Sequence, residues 1–482
     1  MDSHHRDLRR GFNWLGGAMA ASKVIDFATI LLVLLFLTKE QVGLASLVVA
    51  VGTVIEALDG LGASAALVQA RALTREQLDS LFWFIGGSAV LVGAITLAAA
   101  RPIAAFYGTA GMSAYFLAIA IKQPLVGAAV IPLALMSRDL QYERIAVVNI
   151  CSTFAAAATR LGLAVLGAGA WAIVIAFAAS GLFTLIGALI AKPFRPGLRF
   201  RMAPIAELVR FGLRATTSSL GEQAFNNIDY LLVGRFYGAA PLAIYRVAFD
   251  VATQPAAAVS TLVNRAALPV FARVAAAREQ LAQSLSFSLE RLLIVTCPLA
   301  VATILAADPI GALIHDQRGH SYAAAGLPLK LLAAAALLRV MSQLMYPLLF
   351  ASGRPRTAAG LSVVTLLLLG VGFTVVGFTL PAGIGIVAIA AIWLALYPIL
   401  LVWDVRYLQR HWGIRAGSLV RAMGVPLAAG GLLAAAVGLA RIWVAAGAPR
   451  LQIAVIVAAA ALTYAGLYLH DRQRRYPTMT TQ

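Results

Sequence analysis

Apolar runs of about twenty residues recur along the whole chain, and they limit what it can fold into. At 1.5 Å per residue, a helix of twenty residues spans the ~30 Å hydrocarbon core of a bilayer. The runs are continuous in Ala, Leu, Val and Ile, unlike the alternating ten-residue strands of a closed barrel. A helix also satisfies its backbone hydrogen bonds internally, where lipid offers no partner. With 61% hydrophobic and 12% charged residues, a water-soluble chain would lack the polar surface to cover itself. The sequence therefore predicts an all-α integral membrane protein.

Segmentation predicts about fourteen transmembrane helices. The first six lie near 13–37, 42–67, 80–100, 112–136, 145–167 and 170–191. A polar stretch from Lys192 to Glu207, with Pro193, Pro196 and Pro204, separates them from six more near 209–236, 240–268, 284–307, 325–350, 357–379 and 383–403. The expected organisation is an N-terminal six-helix lobe over 1–195 and a C-terminal six-helix lobe over 196–405. Residues 406–482 then add two helices, near 419–440 and 451–470, and a cytoplasmic tail.

Basic residues divide unevenly between alternate loops. Roughly 23 fall on one side, including Arg75, Arg138, Arg195, Arg278, Arg406 and Arg475, against roughly 6 on the other, including Lys39, Arg101 and Arg318. This imbalance predicts cytoplasmic termini and an even number of spans. It also accounts for the net charge of +18 without a nucleic-acid partner. Cys151 and Cys297 lie inside apolar runs and read as small buried hydrophobes. The first run continues from Trp14 to Leu37 through Lys23 and Asp26 without a convincing cleavage site, so a cleaved signal peptide is not expected.

An internal repeat accompanies the two lobes. Arg75-Glu76-Gln77-Leu78 matches Arg278-Glu279-Gln280-Leu281, and Arg101-Pro102-Ile103 matches Asp308-Pro309-Ile310, at offsets of 203 and 207 residues. Six spans separate the copies, so the halves run parallel and a pseudo-two-fold axis along the membrane normal is expected.

Ionisable residues at bilayer depth are the informative class, because each costs about 2.5–3.5 kcal/mol on insertion scales if it faces lipid. Lys23 and Asp26 fall in the first span, Glu56 and Asp59 in the second, Lys122 in the fourth and Arg160 in the fifth. The seventh carries Arg214, Glu222 and Asp229, the eighth Arg246 and Asp250, and the tenth Lys330 and Arg339. In the seventh, Arg214, Ser218, Glu222, Asn226 and Asp229 recur at helical steps and predict one polar stripe. The first, second, seventh and eighth helices are thus expected to line a hydrated cavity between the lobes. One reading pairs Lys23 with Asp26 and Arg246 with Asp250 as packing neutralisation. The other leaves Lys23, Arg160, Arg214 and Arg246 to grip an anionic head group, with guanidinium suited to phosphate, and Asn226 to bond sugar hydroxyls. Glu222, Asp229, Asp250, Asp26, Glu56 and Asp59 would then bind a coupling H+ or Na+.

Signs of an enzyme are scarce. His315 and His320 flank Asp316-Gln317-Arg318-Gly319, but nothing nearby completes a metal shell, and no glycine loop cradles phosphate. No catalytic residue, resident cofactor or metal is expected. A polysaccharide ligase would more often carry a long outer loop, and the outer loops here are short.

Several stretches resemble the polysaccharide transporters of the multidrug/oligosaccharidyl-lipid/polysaccharide exporter superfamily, the O-antigen flippase type. They are the run from Leu58 to Gln69, Gly169-Ala170-Trp171-Ala172, the run from Asn226 to Arg235 with Gly238 and Tyr245, and Leu268-Pro269-Val270-Phe271. The resemblance implies translocation of undecaprenyl-diphosphate-linked oligosaccharide across the bacterial inner membrane by alternating access, without ATP hydrolysis by this chain. It implies a cationic cavity, in agreement with Lys23, Arg160, Arg214 and Arg246, and a polysaccharide polymerase and export machinery as partners. A cation-coupled multidrug exporter or a peptidoglycan-precursor (lipid II) flippase of the same superfamily is the alternative.

Overall fold

The computed structural model describes residue 17 and residues 21–70, 73–274, 277–443 and 448–475, without the side chains of residues 59, 65, 68, 69, 110, 262, 265, 266, 442, 443 and 470–475. The side chain of Asp59 and the start of the first expected span lie outside the described residues. The regular structure described is helical, apart from an isolated antiparallel bridge between His315 and Ser321.

The chain order begins with α1 (21–33), α2 (Lys39–Glu56), α3 (Ala63–Gln69), α4 (Arg75–Phe106), α5 (Phe116–Arg138), α6 (Tyr142–Val165) and α7 (Ala170–Ala191). After the linker come α8 (Ala206–Tyr237), α9 (Ala239–Val274), α10 (Arg278–Leu313), α11 (Gly326–Gln343) and α12 (Met345–Ala351). The last four are α13 (Pro355–Thr379), α14 (Ala382–Trp412), α15 (Ala416–Trp443) and α16 (Pro449–Arg475). Among the described residues, 11 helical segments are long and apolar enough to cross a membrane. Helices α8 and α9, with 32 and 36 residues, are as long but more polar.

Their outward faces identify the solvent. On α13, Leu361, Thr365, Leu369 and Phe373 are buried at four-residue steps, whereas Val364, Leu367, Leu368, Val371 and Phe378 are exposed. Exposed apolar surface on this scale has no place in water and is what hydrocarbon requires. The protein is a multi-pass α-helical membrane protein.

Helix ends follow local chemistry more closely than hydropathy. Thr38 and Thr74 form capping boxes with Gln41 and Gln77, so α2 and α4 each begin where a hydroxyl satisfies orphan N–H groups. Both copies of the repeated tetrapeptide open a helix, α4 at Arg75 and α10 at Arg278, and Pro102 and Pro309 both fall in the last turns of those helices. Several helices outrun their apolar windows. Helix α14 carries Arg406 and Arg410, expected in a loop, and ends only at Gly413, whose φ of 65° suits a residue without a side chain.

The expected second span, 42–67, is not one continuous helix. Helix α2 stops at Glu56, a tight turn occupies Asp59–Gly62 with Gly60, Leu61 and Gly62 at φ of 63°, 44° and 65°, and α3 resumes at Ala63. The turn lies against the backbone of α8. A methyl group on Gly62 would overlap the Gly212 carbonyl, and one on Gly212 would overlap the Leu61 carbonyl, so both glycines are needed for backbone approach.

The chain divides into two compact units, Met1–Ala243 with Asp316–Arg318, and Ile244–His315 with Gly319–Gln482. In the first, Leu67, Leu81, Ile85, Ile131, Ile205 and Phe194 form a core around α3, α4 and α5. In the second, Phe271, Leu281, Leu292, Leu344, Leu348 and Trp412 form a core around α9, α10, α12 and α14.

Candidate substrate and ion sites within the helical units

In the first unit, the polar groups of α1 and α2 are held by distant helices rather than by sequence neighbours. Arg160 on α6 donates from Nη1 to Asp26 Oδ1 on α1 at 2.8 Å. Of the two readings of Lys23 and Asp26, their mutual pairing is not the one found, because Lys23 lies on an exposed position of α1 while Asp26 meets the guanidinium. The Arg160 side chain is only 12% accessible, Asp26 is 41% accessible, and Arg160 Nε is buried without a hydrogen-bond partner. A guanidinium has five N–H donors, and the Asp26 contact engages only Nη1.

Glu56 ends α2, where its charge opposes the helix dipole. Lys122 of α5 neutralises it with an ion pair, and its ammonium also lies 3.3 Å from the centroid of the Phe177 ring on α7. The second candidate acid is therefore held by a buried ammonium, with its own side chain 25% accessible.

On α8, Arg214, Ser218, Glu222 and Asn226 do form one exposed polar stripe at four-residue steps. Asp229 leaves it. The carboxylate is fully buried and accepts the Tyr230 backbone N–H at 2.9 Å, beside Asn227, which donates to the Gln223 carbonyl. Further along, the last turns of α8 approach α2, where Gly234 meets Leu47.

In the second unit, Arg246 and Asp250 pair at 3.3 Å along α9, one turn apart as their spacing predicts, with side chains 18% and 11% accessible. They lie beside an aromatic cluster. Trp393 Nε1 donates to the buried Tyr245 hydroxyl at 3.0 Å, Tyr397 stacks on Trp393, and the Arg339 guanidinium lies 5.5 Å from the centroid of a Trp393 ring.

Asp404 on α14 was not singled out by the sequence. It is buried, accepts the Ser342 hydroxyl at 2.6 Å, and its other oxygen has no hydrogen-bond partner. The signal was present as a lone acid ending the apolar run from Ala382, but it was hidden by the arginines that follow. Ser342 adjoins the joint at Leu344 that separates α11 from α12, so Asp404 bonds the chain where a helix is interrupted.

Fold and sites together define a polytopic membrane protein whose helical units hold buried cations and carboxylates. Solved structures share the fold. The chain superposes on one titled "Lipid II flippase MurJ, inward closed conformation" with TM-score 0.75 and 13% identity, over 95% of this chain and 99% of that one. It superposes on an inward-facing multidrug resistance MATE family transporter of the MOP superfamily with TM-score 0.62 and 14% identity, over 82% and 95%. The model of the family described as "Polysaccharide biosynthesis protein" matches residues 34–318, and the chain belongs to that family.

Characterised relatives include the teichuronic acid biosynthesis protein TuaB of Bacillus subtilis (strain 168), 26% identical over 299 residues that make up 61% of each chain. The lipopolysaccharide biosynthesis protein WzxC of Escherichia coli (strain K12) is 24% identical over 71% of this chain and 70% of its own. The succinoglycan biosynthesis transport protein ExoT of Rhizobium meliloti (strain 1021) is 23% identical over 63% and 62%. The chain thus matches about three fifths to seven tenths of these relatives' lengths.

Proposed function

We propose that the chain flips undecaprenyl-diphosphate-linked oligosaccharide repeat units across the bacterial inner membrane by alternating access, supplying polysaccharide biosynthesis and export. The observation that carries this reading is Arg160, a buried guanidinium with an unmet N–H donor beside a half-open carboxylate, in a family named for polysaccharide biosynthesis. Diphosphate is the part of such a substrate that needs a cation in a low-dielectric setting, and guanidinium grips it bidentately. Lys23 and Arg214 are the further candidate cations of the first unit and Arg246 that of the second, Asn226 would meet sugar hydroxyls, and the polyprenyl tail stays in lipid.

In this reading fourteen helices cross the membrane with both termini cytoplasmic, as lobes 1–195 and 196–405 followed by 406–482. Asp26, Glu56, Asp59, Glu222, Asp229 and Asp250 are the coupling candidates for H+ or Na+, and the buried Asp404 joins them. A polysaccharide polymerase takes the product. The MurJ-like fold favours one second reading, a lipid II flippase.

Deleting the gene separates the two. The proposal expects intact lipid-linked repeat units to accumulate, protected from an impermeant glycosidase, in cells that still build peptidoglycan. Accumulation of lipid II with loss of viability would favour the second reading, and unchanged pools of both would defeat both.

A further inference from the structure

The linker between α7 and α8 alternates basic and apolar residues, Arg195, Leu198, Arg199, Phe200, Arg201 and Met202, and its apolar members point away from the protein. Leu198 is 91% exposed, Phe200 54% and Met202 44%. This is not a loose loop. Phe194 is buried against Phe82 and beneath the Arg75 guanidinium, and Arg75 also donates to the Arg195 carbonyl. Trp83 Nε1 donates to the Gly197 carbonyl at 2.7 Å, the Arg201 N–H donates to Ser80 Oγ at 3.0 Å, and Gln77 donates to the Pro204 carbonyl at 3.1 Å. Gly197 lies so close to Asp79 that a methyl group there would reach within 2.6 Å of Oδ2. The linker is strapped to the first turns of α4, and the straps hold Leu198 outward.

Those straps also set its depth. From Trp83 to Phe106, α4 presents Trp83, Val90, Leu91, Ile95, Leu97 and Phe106 outward, a stretch of about 35 Å at 1.5 Å per residue, close to the ~30 Å of hydrocarbon. Trp83 therefore sits at one edge of the hydrocarbon, where tryptophan is enriched, and its bond to Gly197 places the linker at that edge. Apolar side chains interleaved with arginines at this level match the acyl boundary and the anionic head groups of a cytoplasmic leaflet.

We propose that residues 195–202 form an interfacial anchor, in which Leu198, Phe200 and Met202 insert into the acyl boundary and Arg195 and Arg199 bind anionic phospholipid head groups. The occupant is bulk anionic phospholipid and not the transported substrate, so the anchor stands whatever the chain carries.

The test uses the full chain with Cys151→Ser and Cys297→Ala, a spin label on Leu198→Cys, and reconstitution in phosphatidylethanolamine with phosphatidylglycerol. Labels on Leu91→Cys and Arg318→Cys serve as lipid and water references. Collisions with oxygen and with a water-soluble nickel chelate give the depth. The anchor predicts a label at 198 that is accessible to oxygen and shielded from nickel. Replacing phosphatidylglycerol with phosphatidylcholine, or making Arg195→Gln with Arg199→Gln, should raise nickel access, by about fivefold for each arginine removed. A label at 198 as accessible to nickel as the one at 318 would overturn the anchor and leave a docking site for another protein. Shielding that ignores both lipid charge and the arginines would overturn the head-group assignment.

Discussion

Replacing Lys122 with Met is expected to destabilise the folded protein by about 3–5 kcal/mol, because it leaves Glu56 charged and unpaired in the interior. Lys122 is 5% exposed, and three groups converge on it: the Glu56 carboxylate, the Phe177 ring and the α7 backbone at Gly181. The aliphatic volume of Met fills most of the same space, so lost packing is a minor part of the effect. Adding Glu56→Gln to the Met variant removes the stranded charge and should recover most of the loss. Thermal unfolding in detergent of the single and double variants measures this. Equal melting of wild type and Lys122→Met would show that Glu56 is solvated, and failure of the second substitution to rescue would show that the ammonium is needed for packing.

Arg160→Ala is expected to slow export of repeat units roughly 10- to 150-fold at normal protein levels. A hydrogen bond to a charged group contributes about 1.5–3 kcal/mol, and each 1.4 kcal/mol is tenfold. Arg160→Lys should recover little, since an ammonium lacks the planar fork that spans two oxygens. Arg246 is paired as well, with Asp250 one turn along the same helix, and Arg246→Ala in the same assay ranks the two cations. Export measured as surface polysaccharide per unit of protein decides the order. A lysine variant at position 160 with wild-type export would reduce its role to charge alone.

Much of the architecture was legible because the bilayer imposes it. The apolar runs stand out at a length that only a membrane demands, and the Arg246–Asp250 pair is visible as an i,i+4 spacing on a helix. What stayed hidden depends on three-dimensional partners or on backbone angles. The acid Asp26 has a cation three residues away in sequence, yet its partner is Arg160, and nothing in local spacing distinguishes the two. The turn at Gly60–Gly62 lies inside an apolar run, and hydropathy does not register a left-handed backbone. Asp229 follows the periodicity of Asn226 but is fully buried, so a stripe correct in angle was wrong in exposure. Asp404 was lost among neighbouring arginines, although it is buried with one carboxylate oxygen unpartnered.

Movement of a lipid-linked diphosphate oligosaccharide is the activity proposed for this chain. Its most direct test is reconstitution of the purified protein in vesicles loaded with such a lipid, with a membrane-impermeant glycosidase added outside. Substrate on the inner leaflet should become fully cleavable with wild-type protein, and should do so roughly 10- to 150-fold more slowly with Arg160→Ala. Half protection that persists with folded wild-type protein, with or without an imposed H+ or Na+ gradient, would contradict the account.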